Sequence, residues 1–186
     1  MKIFFDTEFT GLHKDTTLIS LGMISEDGRR FYAEFNDYDK TQVNKWIMDN
    51  VIAYMSFKDD YIPDLPISSC SSYAMKADTA TIKSRLIDWL NQFEYVELVS
   101  DVSHYDMVLF INIFGTAFDL PNHVCPACID INQIIADYHE VDIATAFDVS
   151  REEMLKANDI KIKGNKHNAL YDAKVIRALY NLMKEK

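Results

Sequence analysis

The sequence predicts an α/β fold: a central mixed β-sheet with an antiparallel hairpin at its start, flanked by α-helices. Three observations predict it. The chain opens on a short apolar strand, an Asp-Gly turn joins the next two β-prone stretches, and helical and extended periodicities then alternate. With 186 residues, 48% of them hydrophobic, one core can be buried, and a single domain over 1–186 is expected.

Met1 to Phe5 is an apolar run that ends at Asp6, as a buried strand does where it meets a site. Leu18 to Ser25 and Arg30 to Phe35 are joined by Glu26-Asp27-Gly28-Arg29, whose Asp-Gly pair favours the positive φ angles of a tight hairpin. From Thr41 to Met55, Val43, Trp46, Ile47, Val51 and Tyr54 recur at helical spacing, and the polar, Pro- and Ser-containing Lys58 to Ser72 reads as a loop. Thr79 to Phe93 repeats the helical pattern through Ile82, Leu86, Trp89 and Leu90, before Tyr95 to Val99 resumes a β-like run. Ser103 can cap a helix to about Phe114. Asp130 and Gln133 have capping-box spacing for a helix starting there, and further helices are expected over Ser150 to Asn158 and Asn168 to Lys184. No internal repeat or linker divides the chain.

A formal net charge of −10 argues against strong, non-specific binding of long nucleic acid, which calls for a broad basic face. It leaves room for a nuclease that holds cations in a carboxylate cleft and grips a few terminal nucleotides. No apolar run approaches the roughly 20 residues of a membrane span, and MKIFFDTEF reaches carboxylates too soon for a signal peptide. A cytoplasmic location without a membrane partner is expected. Cys70, Cys125 and Cys128 lack a second CxxC, which supports neither a disulfide framework nor a four-cysteine zinc site.

Asp6 and Glu8 lie two apart, so on a strand both carboxylates project from one face. Their repulsion is relieved by a proton or by a hard cation such as Mg²⁺ or Mn²⁺, although an acidic turn after a strand reads the same way. Asp106 falls in the first turn of the helix from Ser103, where a capping box accounts for it equally well, and Asp101 competes as a ligand. Asn168 can cap the last helix and place Asp172 one turn inside it, with His167 just before. Asp172 is then suited to metal binding and His167 to a nearby water; taken alone, His167 is equally an exposed loop histidine.

Taken in order, DxE, then D, then HxxxxD, these residues resemble the DEDDh 3′-5′ exonucleases: Asp6 to Gly11 their first motif, Tyr105-Asp106 the end of their second, His167 to Asp172 their third. The chain is similar in particular to the small RNase AS-like exoribonucleases, through its DTEF opening, Leu18 to Gly22, Glu26 to Arg29, Trp46 to Ile52 and Glu97 to Asp106. The Asn that often stands four residues before the second-motif Asp is replaced by Val102. The resemblance implies a ribonuclease H-like fold, a homodimer, and single-stranded RNA with a 3′ adenylate tract as substrate. It also implies hydrolysis to nucleoside 5′-monophosphates with two Mg²⁺ about 4 Å apart, for which Mn²⁺ can substitute. Asp6 would bridge the ions, Glu8 and Asp172 would complete one site and Asp106 the other, and His167 would be general base.

Substrate contacts are expected from Thr7, Phe9, Thr10 and Lys166. Phe9 can stack on a terminal base or pack in the core, and Lys161, Lys163 and Lys166 can meet phosphates or simply be solvated. Three readings compete with the exoribonuclease: a DNA 3′-5′ exonuclease or proofreading subunit, a catalytically silent module that binds 3′ ends, and a zinc or redox protein organised by Cys125 and Cys128.

Overall fold

The computed structural model describes residues 1–62 and 72–184. Six strands form one sheet: β1 (Lys2–Phe9), β2 (Leu18–Ser25), β3 (Arg30–Phe35), β4 (Ser72–Ala77), β5 (Val96–Ser100) and β6 (Val124–Asp130). Their order is β4-β3-β2-β1-β5-β6. β2 is antiparallel to both β1 and β3, while β3–β4, β1–β5 and β5–β6 are parallel. The sheet is therefore mixed, with the expected hairpin at its start.

Among the described residues seven α-helices accompany it: α1 (Lys45–Asn50), α2 (Thr79–Leu90), α3 (Ser103–Phe114), α4 (Ile131–His139), α5 (Ile143–Asp148), α6 (Arg151–Ala157) and α7 (Ala169–Lys184). Side chains alternate across a strand, and β1 shows the result. Ile3 and Phe5 join the core under α2 and α3, whereas Phe4 joins the core under α4, α6 and α7. The same parity sends Asp6 and Glu8 to the α7 face and Thr7 to the α3 face.

α7 can lie on the sheet because of Gly22. A Cβ at that position would stand 2.2 Å from the backbone carbon of Ala169, so only a glycine lets the first turn of α7 come down on β2. Gly22 pairs with Asp6 across the β1–β2 ladder. The close approach thus falls level with the acidic end of β1.

Several expectations are corrected. The first strand does not end at Asp6 but runs to Phe9, because Asp6 to Phe9 stay paired with β2. The helix expected over Thr41–Met55 is α1 flanked by single 3₁₀ turns at Lys40–Gln42 and Ile52–Tyr54, and Asn44 caps it. Ser103 does not cap α3; Val102 holds that position without a side-chain cap, and the Ser103 amide donates to Asp130 Oδ2 at 3.0 Å. Most of the loop expected over Lys58–Ser72, including Cys70, lies outside the described residues. Cys125 and Cys128 stand within β6 as free thiols, and burial pushes the Cys128 thiol up to about 12, the reverse of a reactive or metal-binding thiolate.

Candidate active site

β1 supplies two carboxylates to the site and α7 a third. Asp172, one turn inside α7, joins Asp6 and Glu8 so that one oxygen from each lies within 4.8 Å of the others. The α7 start is well fixed. Asn168 Oδ1 accepts from the Tyr171 amide at 3.2 Å, and its Nδ2 donates to the Tyr32 hydroxyl at 3.3 Å and to the Tyr54 carbonyl at 3.2 Å. Tyr32 donates in turn to the buried Glu34 at 2.8 Å, whose carboxylate also accepts the Ser56 and Phe57 amides.

The cluster is electrostatically uncomfortable. Asp6 Oδ2 is shut off from solvent with no hydrogen-bond partner among the described residues. Burial first, then the charges of Asp106, Asp172 and Glu8, holds the Asp6 carboxyl well above the usual range. Burial and Glu8 push Asp172 up to about 7. An orphaned buried oxygen facing two further carboxylates is a donor set short of a hard cation, so these residues fit a divalent ion bound through oxygen.

Asp106 arrives from the opposite layer. It is buried on α3 and accepts from the Thr7 amide at 3.1 Å, the Thr7 hydroxyl at 2.5 Å and the Ser100 hydroxyl at 2.6 Å. Burial nonetheless pushes it up to about 7. It forms no capping box, and it stands outside the three-carboxylate group although its charge acts on Asp6. Asp101 is occupied otherwise. It receives Arg151 Nε at 2.8 Å, Arg151 Nη2 at 3.0 Å and Asn132 Nδ2 at 2.9 Å.

His167 sits in the left-handed region at φ 63°, which turns its amide onto Asp172 Oδ2 at 2.8 Å. Its Nδ1 lies 3.7 Å from Glu8 Oε1, and that contact raises the imidazole pKa above its ordinary value. Trp46 packs edge-on against the ring, with centroids 5.1 Å apart and planes at 75°. Together these three contacts fix where the imidazole points.

A cleft of about 540 Å³ opens over Asp6, Glu8 and Asp106, lined also by Phe9, Leu12, Trp46, Val102, Tyr105 and His167 among others. Phe9 stacks on Tyr105, centroids 5.4 Å apart and planes at 20°. Val102, a β-branched residue at φ 56°, is strained backbone on this wall. Thr7 lines the cleft with its side chain committed to Asp106. Thr10 does not line it: it is buried, and its hydroxyl donates to Gln42. Lys166 also lies off the cleft, 3.7 Å from Glu152.

Sequence reasoning missed Trp46 and Tyr105 as parts of the site. Trp46, 55% exposed, sits at helical spacing that suits a core residue equally well. Tyr105 was legible only as the neighbour of Asp106.

Comparison with known proteins bears on the fold and the family. The family model of the Rv2179c-like 3′-5′ exoribonuclease domain matches residues 1–183. The 3′-5′ exoribonuclease Rv2179c of Mycobacterium tuberculosis is 27% identical over 139 residues, covering 74% of this chain and 75% of the relative. Among solved structures, the nuclease domain of 3′hExo, a DEDDh family member bound to rAMP, superposes with a TM-score of 0.67 at 17% identity, over 99% of this chain and 91% of that one. S. pombe Pop2p in its Mg²⁺- and Mn²⁺-bound form gives 0.65 at 13% identity, over 100% and 83%. These two likenesses establish the ribonuclease H-like fold. The chain belongs to the Rv2179c-like 3′-5′ exoribonuclease family and is an enzyme of the 3′-5′ exonuclease class.

Proposed function

We propose that the enzyme removes nucleotides one at a time from the 3′ end of single-stranded RNA, adenylate tails included, and releases nucleoside 5′-monophosphates. The observation that carries this reading is the convergence of Asp6, Glu8 and Asp172 within 4.8 Å, with His167 beside them at the floor of an aromatic-walled cleft. The family and its mycobacterial member support RNA over DNA.

Asp6, Glu8 and Asp172 would hold Mg²⁺ or Mn²⁺, with Asp106 completing a second position through the lone pairs its hydrogen bonds leave free. Two such ions, when bound, lower the pKa of water and neutralise charge on the attacking and leaving oxygens. The chain's own residues do the rest. The imidazole of His167 takes the proton from the attacking water as its oxygen bonds to phosphorus, and the bond from phosphorus to the upstream O3′ breaks. Glu8 and Trp46 keep the ring aimed. The Phe9–Tyr105 stack offers the terminal base an aromatic face, which tolerates any base. A cytoplasmic homodimer is the state we assign, supported by the family resemblance.

The test is a 5′-labelled RNA ending in adenylates, incubated with Mg²⁺, Mn²⁺ or EDTA beside a matched DNA. A metal-dependent ladder shortening from the 3′ end of RNA is expected, with His167→Ala lowering kcat by about 10²- to 10⁴-fold. Equal digestion of DNA would overturn the RNA assignment, and binding without cleavage would make the protein an end-binding module.

A further inference from the structure

A second groove, of about 570 Å³, lies between the base of the β2–β3 hairpin, the segment before His167 and one side of α7. Arg30, Lys161, Lys163, Lys174 and Arg177 line it, with Asn181, and none of the described residues that line it is acidic or aromatic. A chain with 19 basic against 29 acidic residues here gathers five cations in one groove, with no carboxylate among the described residues that line it. None of the five forms an ion pair with a described acidic residue.

Solvated lysines on a convex surface need no explanation, but this groove differs in two ways. Lys174 is only partly exposed and lines the same groove as Arg30 and Arg177. Arg177 donates Nη2 to the Glu26 carbonyl at 2.7 Å, yet its Nε is buried without an acceptor among the described residues. Holding like charges together with a donor unmet is unfavourable unless an anion joins them.

The donors suggest which anion. Lys174, Arg177 and Asn181 form a stripe along about 10 Å of α7, longer than one phosphate requires. Three amines, two guanidinium groups and an amide without a described aromatic wall suit a sugar-phosphate backbone and give no purchase on bases. The groove is also tied to the active site. Lys163 precedes His167 by four residues, and Lys174 follows Asp172 by two.

We propose that this groove is a phosphate-binding site for the body of the substrate strand, upstream of the 3′ end held in the cleft; this rests on the exoribonuclease reading above. It makes the enzyme favour long strands over short ones while ignoring their sequence. It also resolves how a protein of net charge −10 retains a polyanion, by confining attraction to one track.

The experiment uses two RNAs with the same adenylate 3′ end, about four and about twenty nucleotides long, which bracket the usual footprints on single strands. Lys161 and Lys163 are exposed, so the double variant Lys161→Glu/Lys163→Glu should fold, which a melting curve checks. For the wild type, kcat/KM is expected to be higher on the long RNA and to fall steeply with salt. The variant should lose about tenfold of the long-to-short ratio, and its salt slope should drop by about one for each phosphate it no longer neutralises. An unchanged ratio and slope would overturn the groove. If the wild type shortens neither RNA, it is the exoribonuclease reading that fails. Fluorescence anisotropy of the longer RNA in EDTA then decides the groove alone, and equal binding by wild type and variant would reject it.

Discussion

Asp6 is held against its own solvation. Its Oδ2 is buried without a donor among the described residues, and burial first, then the charges of four other carboxylates, raises its pKa. Asp6→Asn keeps the shape and removes the charge, so two properties should move in opposite directions. Activity is expected to vanish, while the metal-free protein, freed of a buried anion, should melt at least about 2 °C higher at neutral pH. Calorimetry in EDTA checks this, and a lower melting point would mean that Asp6 is instead a net stabiliser. Other single residues differed in legibility. Asp6 and Glu8 could be paired from the sequence because strand parity dictates their direction, and a helix cap placed Asp172 one turn inside α7, but only the family resemblance joined it to them. Val102 could not be read as strained, since its left-handed backbone arises only where α3 must start directly after β5.

At the level of elements, the seating of α7 on β2 decides whether the site exists. Gly22→Ala would place a methyl 2.2 Å from the Ala169 carbon, a clash with backbone that no rotamer relieves. A loss of about 3 kcal/mol is expected from overpacking, read by urea unfolding, with activity falling further than stability because Asp172 rides on the displaced helix. Retention of full activity would show that α7 can shift without moving its carboxylate. The elements missed from the sequence have physical reasons. β6 contains Pro126, which argues against a strand, yet β6 is an edge and its pairing with β5 breaks register around that residue. β4 alternates correctly, with Tyr73, Met75 and Ala77 buried, but six residues after a long polar stretch give a weak signal. α5 is a six-residue helix held mainly by its Asp142 cap and by Ala146 in the core.

The whole molecule should record the charge cluster in its stability. Asp106 and Asp172 have folded pKa values raised to about 7, so the folded protein binds more protons than the unfolded chain between the ordinary carboxylate range and about pH 7. Stability from these groups is therefore full at low pH and is lost as pH rises through about 7. Divalent cations replace those protons. Millimolar Mg²⁺ should raise the melting temperature more at about pH 8 than at about pH 5, as a thermal-shift titration would show. An equal shift at both values would mean that the ion binds elsewhere.

The pairing of Asp6 with Gly22 carries one more consequence. The notch that seats the helix belongs to β2, the acids belong to β1, and only one alignment brings them level. Sliding β1 by a single residue would turn Asp6 and Glu8 towards α3 and present Thr7 and Phe9 to Asp172 instead. Such a chain could be compact and rich in secondary structure, yet it would have no affinity for the ion. Metal uptake is thus a readout of strand alignment, and a refolding experiment that follows it would count only the molecules assembled in the right frame.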